Sequence, residues 1–440
     1  MFHYYLLLGV RNLLRNPMLT ALMVLTLAVG VAASIATLTI LHIMSGNPIP
    51  HKSAKLLVPL VDNGPAKSYV AGAPPEDRQT SYIDAANWRR IDPKAAPVEM
   101  RTAVYDVNGA IEGLRPDLAV EQTGGLAVDS DYFAMFEVPF LYGNAWTRAE
   151  DDAKARVIVL GRKKSEKLFG NDNPVGRTVH IFGHDFRVVG VRDTWNPVPR
   201  YTRLINSSGG ALSGEDDAYI PFTTATDIEL YNNASTSCQD DDRAPGYAGF
   251  LKSECTWIQF WFQTSDRAGL ANYLDNYAKE QRKLGRLQRD APVRLFDVME
   301  WMRYLEVVSN DTRLSVWLAF GFLLLCLVNT TGLLLAKFSA RAPEVGVRRA
   351  LGATQGAIFR QFLVEAGVVG LAGGIVGLGL SVAALFVIGK QARSLSVATQ
   401  MDWQMLGLTF VLAVVAALVA GLLPTWRATQ VTPALQLKSQ

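Results

Sequence analysis

His180 and His184 stand four residues apart, a spacing that would set two imidazoles on one face of a helix as metal ligands. The run "TVHIFGHDFRVVGVR" around them alternates apolar and polar residues on either side of Gly183, which reads as a β-hairpin and parts the pair. "GNDNPVGRT", Gly170 to Thr178, has the glycines of a phosphate loop, but its spacing is one residue too long and Arg177 stands where Lys is required. It reads as a turn leading into the hairpin. No nucleophile elbow, zinc helix or cysteine-rich cluster occurs, so the chain is expected to be non-catalytic, with no metal or cofactor of its own.

Chemistry of another kind is concentrated in "AKFSARAPEVGVRRALGATQGAIFRQFLVEAG", Ala336 to Gly367. Pro343 suits a first helical position, Glu344 the positive end of a helix, and Glu344 with Arg348 an i,i+4 pair. Gly352 would stop that helix and Thr354 would cap the next, so Arg348 and Arg349 would be held on a stiff hairpin.

The hairpin lies between apolar runs long enough to cross a bilayer, for which about 20 residues suffice. Four such spans are expected, at 18–44, 314–338, 362–388 and 405–423. An amphipathic segment, 1–17, precedes them, the hairpin occupies 339–361, and a tail, 424–440, follows. Arg11, Arg15, Lys337, Arg341, Arg348, Arg349, Arg360, Arg427 and Lys438 fall on one side, which places both termini and the hairpin in the cytoplasm. Gly370 with Gly374, Gly373 with Gly377, and Gly30 with Ala33 and Ser34 give small-residue faces for close helix packing, within one subunit or across a dimer. Glu365, one turn inside Arg360, is read as snorkelling to a nearby arginine in preference to a proton-relay role, and Asn329, Thr330 and Thr331 as interhelical hydrogen-bond formers.

Residues 45–313 then form an outer α+β domain, expected in two lobes. Helical patterns include "DYFAMFEVPFL" from Asp131, "GRKKSEKLFG" from Gly161, and "RAGLANYLDNYAKEQRKLG" from Arg267. Leu295 to Ser315 places Phe296, Met299, Met302, Leu305 and Val308 at helical spacing. With an over-long first span, it would make a two-helix stalk beneath the domain. Cys238 and Cys255 bracket a Gly-, Ser-, Asn- and Asp-rich stretch; in an oxidising compartment a disulfide is expected, against the alternative of two unrelated thiols. Cys326, inside a span, is read as packing. The chain is 49% hydrophobic and 19% charged with a net charge of +3, which suits a lipid-embedded part plus a soluble part and gives no basis for nucleic-acid binding.

"RAPEVGVRRALGATQGAIFRQFLVEAGVVGLAGGIVGLGLS" resembles the permease signature of the MacB/FtsX superfamily of ABC transporters. "GLLPTWRATQVTPALQL" resembles the end of the same family. "VDSDYFAMFEVPFLYG" and "VIVLGRKKSEKLFGNDNPVGRTVHIFGHDFRVVGV" resemble its extracytoplasmic core. The resemblance is weaker over 56–100 and 196–254.

The resemblance implies a permease in the inner membrane whose hairpin docks on a cytoplasmic ATPase dimer, through Glu344, Val345, Arg348, Arg349, Ala350, Leu351, Gly352 and Ala353, with Phe359 and Arg360 at its exit. ATP and Mg would belong to that ATPase. With no Walker A of its own and only a short segment before its first span, the chain is expected to need the ATPase as a separate protein. The resemblance further implies a dimer with a second copy or a paralogue, and mechanotransmission to the periplasmic domain. Efflux of peptides, antibiotics or siderophore-like molecules, with a periplasmic adaptor and an outer-membrane channel, is the first expectation. Extraction of lipoproteins and an FtsX-like signal transducer controlling a cell-wall hydrolase are the other two.

Overall fold

The computed structural model describes residues 16–391 except 68, 77, 113–119, 205–213 and 239–243, together with 407, 411, 414, 415, 418, 419, 421, 422 and 424–427. The N-terminal segment, most of the expected fourth span and the end of the tail lie outside these. The chain divides into two compact units, Gly46–Val307 and the flanking segments Met1–Ser45 and Val308–Gln440.

Helix α1, Pro17–Ser45, opens the membrane unit. The outer unit then runs β1 (Leu56–Leu60), β2 (Thr80–Ser81), α2 (Tyr82–Arg89), β3 (Met100–Ile111), β4 (Glu121–Val128), α3 (Asp131–Met135), β5 (Phe140–Gly143), α4 (Arg148–Asp152), β6 (Val157–Gly161) and α5 (Arg162–Phe169). It continues through β7 (Thr178–Ile181), β8 (His184–Arg192), β9 (Ala218–Pro221), α6 (Phe222–Asp227), α7 (Gly246–Lys252), β10 (Thr256–Gln263), α8 (Arg267–Lys283), β11 (Arg294–Asp297) and α9 (Val298–Tyr304). The chain then returns to the membrane unit as α10 (Asn310–Ser339), α11 (Ala342–Ala350) and α12 (Gln355–Gln391).

Two lobes were expected in the outer unit, but one mixed sheet runs through it in the order β11-β1-β10-β3-β4-β9-β6-β8-β5, with β2 on β10 and β7 joining β3 to β8. Both faces are buried. Tyr105, Ile158, Leu160, Phe260 and Phe262 pack on one side, and Val104, Val157, Val159 and Trp261 on the other. Because strand side chains alternate, apolar residues at consecutive positions supply two cores from one strand, which makes the domain a single layered body.

The hairpin of β7 and β8 forms as the pattern predicts, with Phe182 and Gly183 at positive φ in its turn. His180 there binds Asp185 through Nδ1 at 2.8 Å, and that bond raises its pKa. No three metal-ligating side chains converge among the described residues. Cys238 and Cys255 are joined in a disulfide.

Two local expectations need correction. Only Asp131–Met135 of "DYFAMFEVPFL" is helical: Glu137 takes a positive φ, and Phe140 and Leu141 enter β5. The continuous stalk helix is also absent. Phe296 lies in β11, paired with Val58, and Asp297 caps α9 with Glu300 in a capping box. α9 ends where Glu306 adopts a left-handed φ, and Ser309 starts α10 afresh by accepting from Thr312 N. The apolar spacing therefore serves a strand and a short helix that both feed the same core. Local caps override a periodicity spread over a longer window.

In the membrane unit α1, α10 and α12 are each long and apolar enough to cross a bilayer. Gly30 lies against Cys326 and Leu323, and Ser34 Oγ donates to the Ala319 carbonyl at 3.1 Å, so one face of α1 meets α10. Gly373 and Gly377 lie against Leu27, Ala28 and Val31, so another meets α12; at Gly377 an added Cβ would come within 2.9 Å of the Ala28 carbonyl oxygen. Gly370 and Gly374 are buried, and Ala33 only half so. Thr330 Oγ1 reaches Thr26 Oγ1 at 3.4 Å, and Thr331 bonds back to Leu327, whereas Asn329 is exposed.

Candidate functional site

α10 closes at Ser339, and α11 begins after two residues with Arg341 at its N-cap and Pro343 in its first turn. Proline's fixed φ suits that turn, where its missing N–H costs nothing. The helix ends at Ala350, and Gly352, at φ +97°, turns the chain. Few side-chain-bearing residues take that conformation without strain. Thr354 Oγ1 then accepts from Ala357 N at 3.2 Å and starts α12.

Three attachments hold α11. Val345, 5% exposed, sits among Met23, Leu334, Phe338, Ile358, Phe362 and Ala366, with the Phe338 and Phe362 rings 4.3 Å apart. Arg348 donates to Glu344 Oε1 at 2.7 Å and, across to α12, to Gln361 Oε1 at 2.9 Å. Arg341 donates to both oxygens of Glu365 at 3.1 and 3.2 Å. Glu365 is fully buried and also lies 3.0 Å from Lys337 Nζ, whose side chain is 1% exposed.

The opposite face is open. Val347 is 57% and Leu351 82% exposed, one helical turn apart, with Glu344, Ala350 and Gly352 exposed around them and Arg348 and Arg349 half-buried. Ala353 and Phe359 are half-buried, and Arg360 is exposed, donating to the Gly356 carbonyl at 3.2 Å.

The expected contact set is thus largely brought together on one short helix, with one correction. Val345 points inward and anchors the helix, and Val347 takes its place on the open face; a period of 3.6 puts residues 347 and 351 together and leaves 345 on the other side. The nearby arginine expected for Glu365 is Arg341, and Lys337 joins it. Lys337 and Arg341 are four apart at the end of one apolar run, and Glu365 stands early in the next. That spacing is a legible signal for a buried charge cluster, although which arginine closes it is set by how the helices cross.

Two family models match the chain. Residues 20–266 match the family model of the MacB-like periplasmic core domain, and residues 316–433 that of the FtsX-like permease C-terminal region. The pyoverdine export ATP-binding/permease protein PvdT of Pseudomonas aeruginosa is 28% identical over 71% of this chain and 42% of its own length. The macrolide export ATP-binding/permease protein MacB of Rhodopirellula baltica is 24% identical over 84% of this chain and 53% of its own. The chain spans about half the length of the curated relatives it matches. Among solved structures, the periplasmic region of MacB from Actinobacillus actinomycetemcomitans superposes with a TM-score of 0.36 at 16% identity, covering 59% of this chain and 95% of that one.

Proposed function

The chain belongs to the MacB/FtsX family of ABC transporter permeases, and we propose that it is an export permease whose α11 docks on a cytoplasmic ATPase carried by a separate chain. The observation that carries this reading is Val347 and Leu351 standing exposed beside arginines on a helix otherwise fixed to the membrane unit. Exposed apolar residues on a braced element are the mark of a partner surface. The ATPase would supply ATP and Mg chemistry, and this chain would pass the resulting motion to its outer unit.

In this reading the chain has a fourth span at 405–423, both termini in the cytoplasm, and its outer unit in the periplasm above the inner membrane. It works as a dimer with a copy or a paralogue. The relatives named for pyoverdine export and macrolide export favour cargo of those kinds, moved out of the periplasm with an adaptor and an outer-membrane channel. The test is purification of the full chain from its native membrane in mild detergent. An ATPase is expected to accompany it, and Val347→Asp with Leu351→Asp is expected to lower that recovery at least about tenfold without loss of insertion. An ATPase found with a lipoprotein carrier or cell-wall hydrolase and no adaptor would replace export by extraction or signalling. Unchanged recovery with the double variant would remove α11 as the docking site.

A further inference from the structure

The backbone joins α11 to α12 through residues 351–354, and nothing among the described residues packs where a side chain at Gly352 would be. A push on α11 would be absorbed at that joint unless other contacts bypass it. Val345 against Ile358, Phe362 and Ala366 crosses it by apolar contact, which carries no direction, and Arg348 to Gln361 crosses it at a half-exposed site near the start of α12. Arg341 to Glu365 crosses it at a buried one, ~15 Å along α12 from Gln355.

We propose that Glu365 is the latch that makes α11 and α12 move as one body, a positioning residue that binds no cargo or nucleotide. Its carboxylate takes Arg341 from the start of α11 and Lys337 from the end of α10, so one side chain pins three helices. In such apolar surroundings a separated charge is far costlier than at a wet surface, so the latch resists small displacements and yields only as a whole. Lys337 Nζ lies 3.0 Å from Glu365 Oε1 and has no other carboxylate beside it among the described residues, so it depends on the charge of Glu365. A neutral amide could keep one bond to Arg341 but would leave both cations uncompensated.

The proposal rests on α11 being the element that receives the push, but its test does not need the ATPase. The full chain, with Cys326→Ser, is placed in nanodiscs with spin labels at Val347→Cys and Val376→Cys, both exposed positions on α11 and α12. The expected result is a single narrow distance with Glu365 in place and loss of that narrow distance in Glu365→Gln. The exchange Arg341→Glu with Glu365→Arg keeps one acid among two cations and is expected to restore it. A narrow distance in Glu365→Gln overturns the latch. If that variant does not insert, the exchange decides: inserted and narrow supports the latch, whereas broad or not inserted overturns it. Failure here leaves ATPase recovery untouched, so the two readings fall separately.

Discussion

Asp84 in the outer unit and Glu365 in the membrane unit are both fully buried carboxylates, and they are held in different ways. Asp84 accepts from Ser81 Oγ, Asn63 Nδ2 and Tyr277 OH, each at 2.7 Å, and from Arg286. Arg286 is shared with Glu254, beside the disulfide at Cys255, so α2, α8 and the loop after α8 meet at one polar knot. Among the described residues Glu365 has two cations and no comparable surplus. The outer unit carries many polar side chains, so an acid buried there finds several partners in place of water. The membrane unit has few, so each one it keeps carries more of the mechanical connection. The outer unit is stapled to move as a piece, whereas the membrane unit is packed smooth and latched at one end.

Asp84→Ala tests the staple and carries the largest expected effect. It leaves Arg286 with Glu254 as its one carboxylate among the described residues and is expected to cost about 3–5 kcal/mol, seen as a lowered first unfolding transition of the full chain by tryptophan fluorescence. A loss no greater than an exposed ion pair's, ~1 kcal/mol or less, would mean the surplus partners are ornament.

The smooth packing of the membrane unit is tested at Gly377, where an added side chain meets the Ala28 carbonyl and Val31. Gly377→Leu is expected to destabilise the unit by about 1–3 kcal/mol through overpacking. Gly379→Leu, where nothing among the described residues lies in the way, serves as the matched control and should leave detergent stability unchanged.

The smallest effect distinguishes carboxylates within the outer unit. Asp151 accepts from Ser130 N and Thr223 Oγ1 but faces Asp129, with Arg89 between them. Burial, then the Asp129 charge, push its pKa up to about 7 against the pull of Arg89. The folded protein keeps this proton where the unfolded chain has lost it. Its contribution to stability is therefore complete below about pH 4 and disappears as pH rises through about 7. Across roughly pH 5 to 8 the melting point of Asp151→Asn is expected to gain on that of the native chain. Parallel curves would show that Asp129 and Asp151 do not oppose each other.

Composition and periodicity alone determined the membrane helices, the helix–glycine–helix of the hairpin with its Pro343 and Thr354 signals, and the turn at Gly183. These depend on residues within a few positions of each other, and backbone sterics and capping act at that range. The small-residue faces at Gly30 and Gly377 were legible too, but not which helix each meets. Only tertiary structure decided that Val345 turns inward, that Glu365 takes Arg341 and Lys337, that one sheet replaces two lobes, and that the run from Leu295 breaks into a strand and a capped helix. In each case the outcome depends on partners distant along the chain, where burial and charge pairing outweigh a local preference of a few tenths of a kcal/mol per residue.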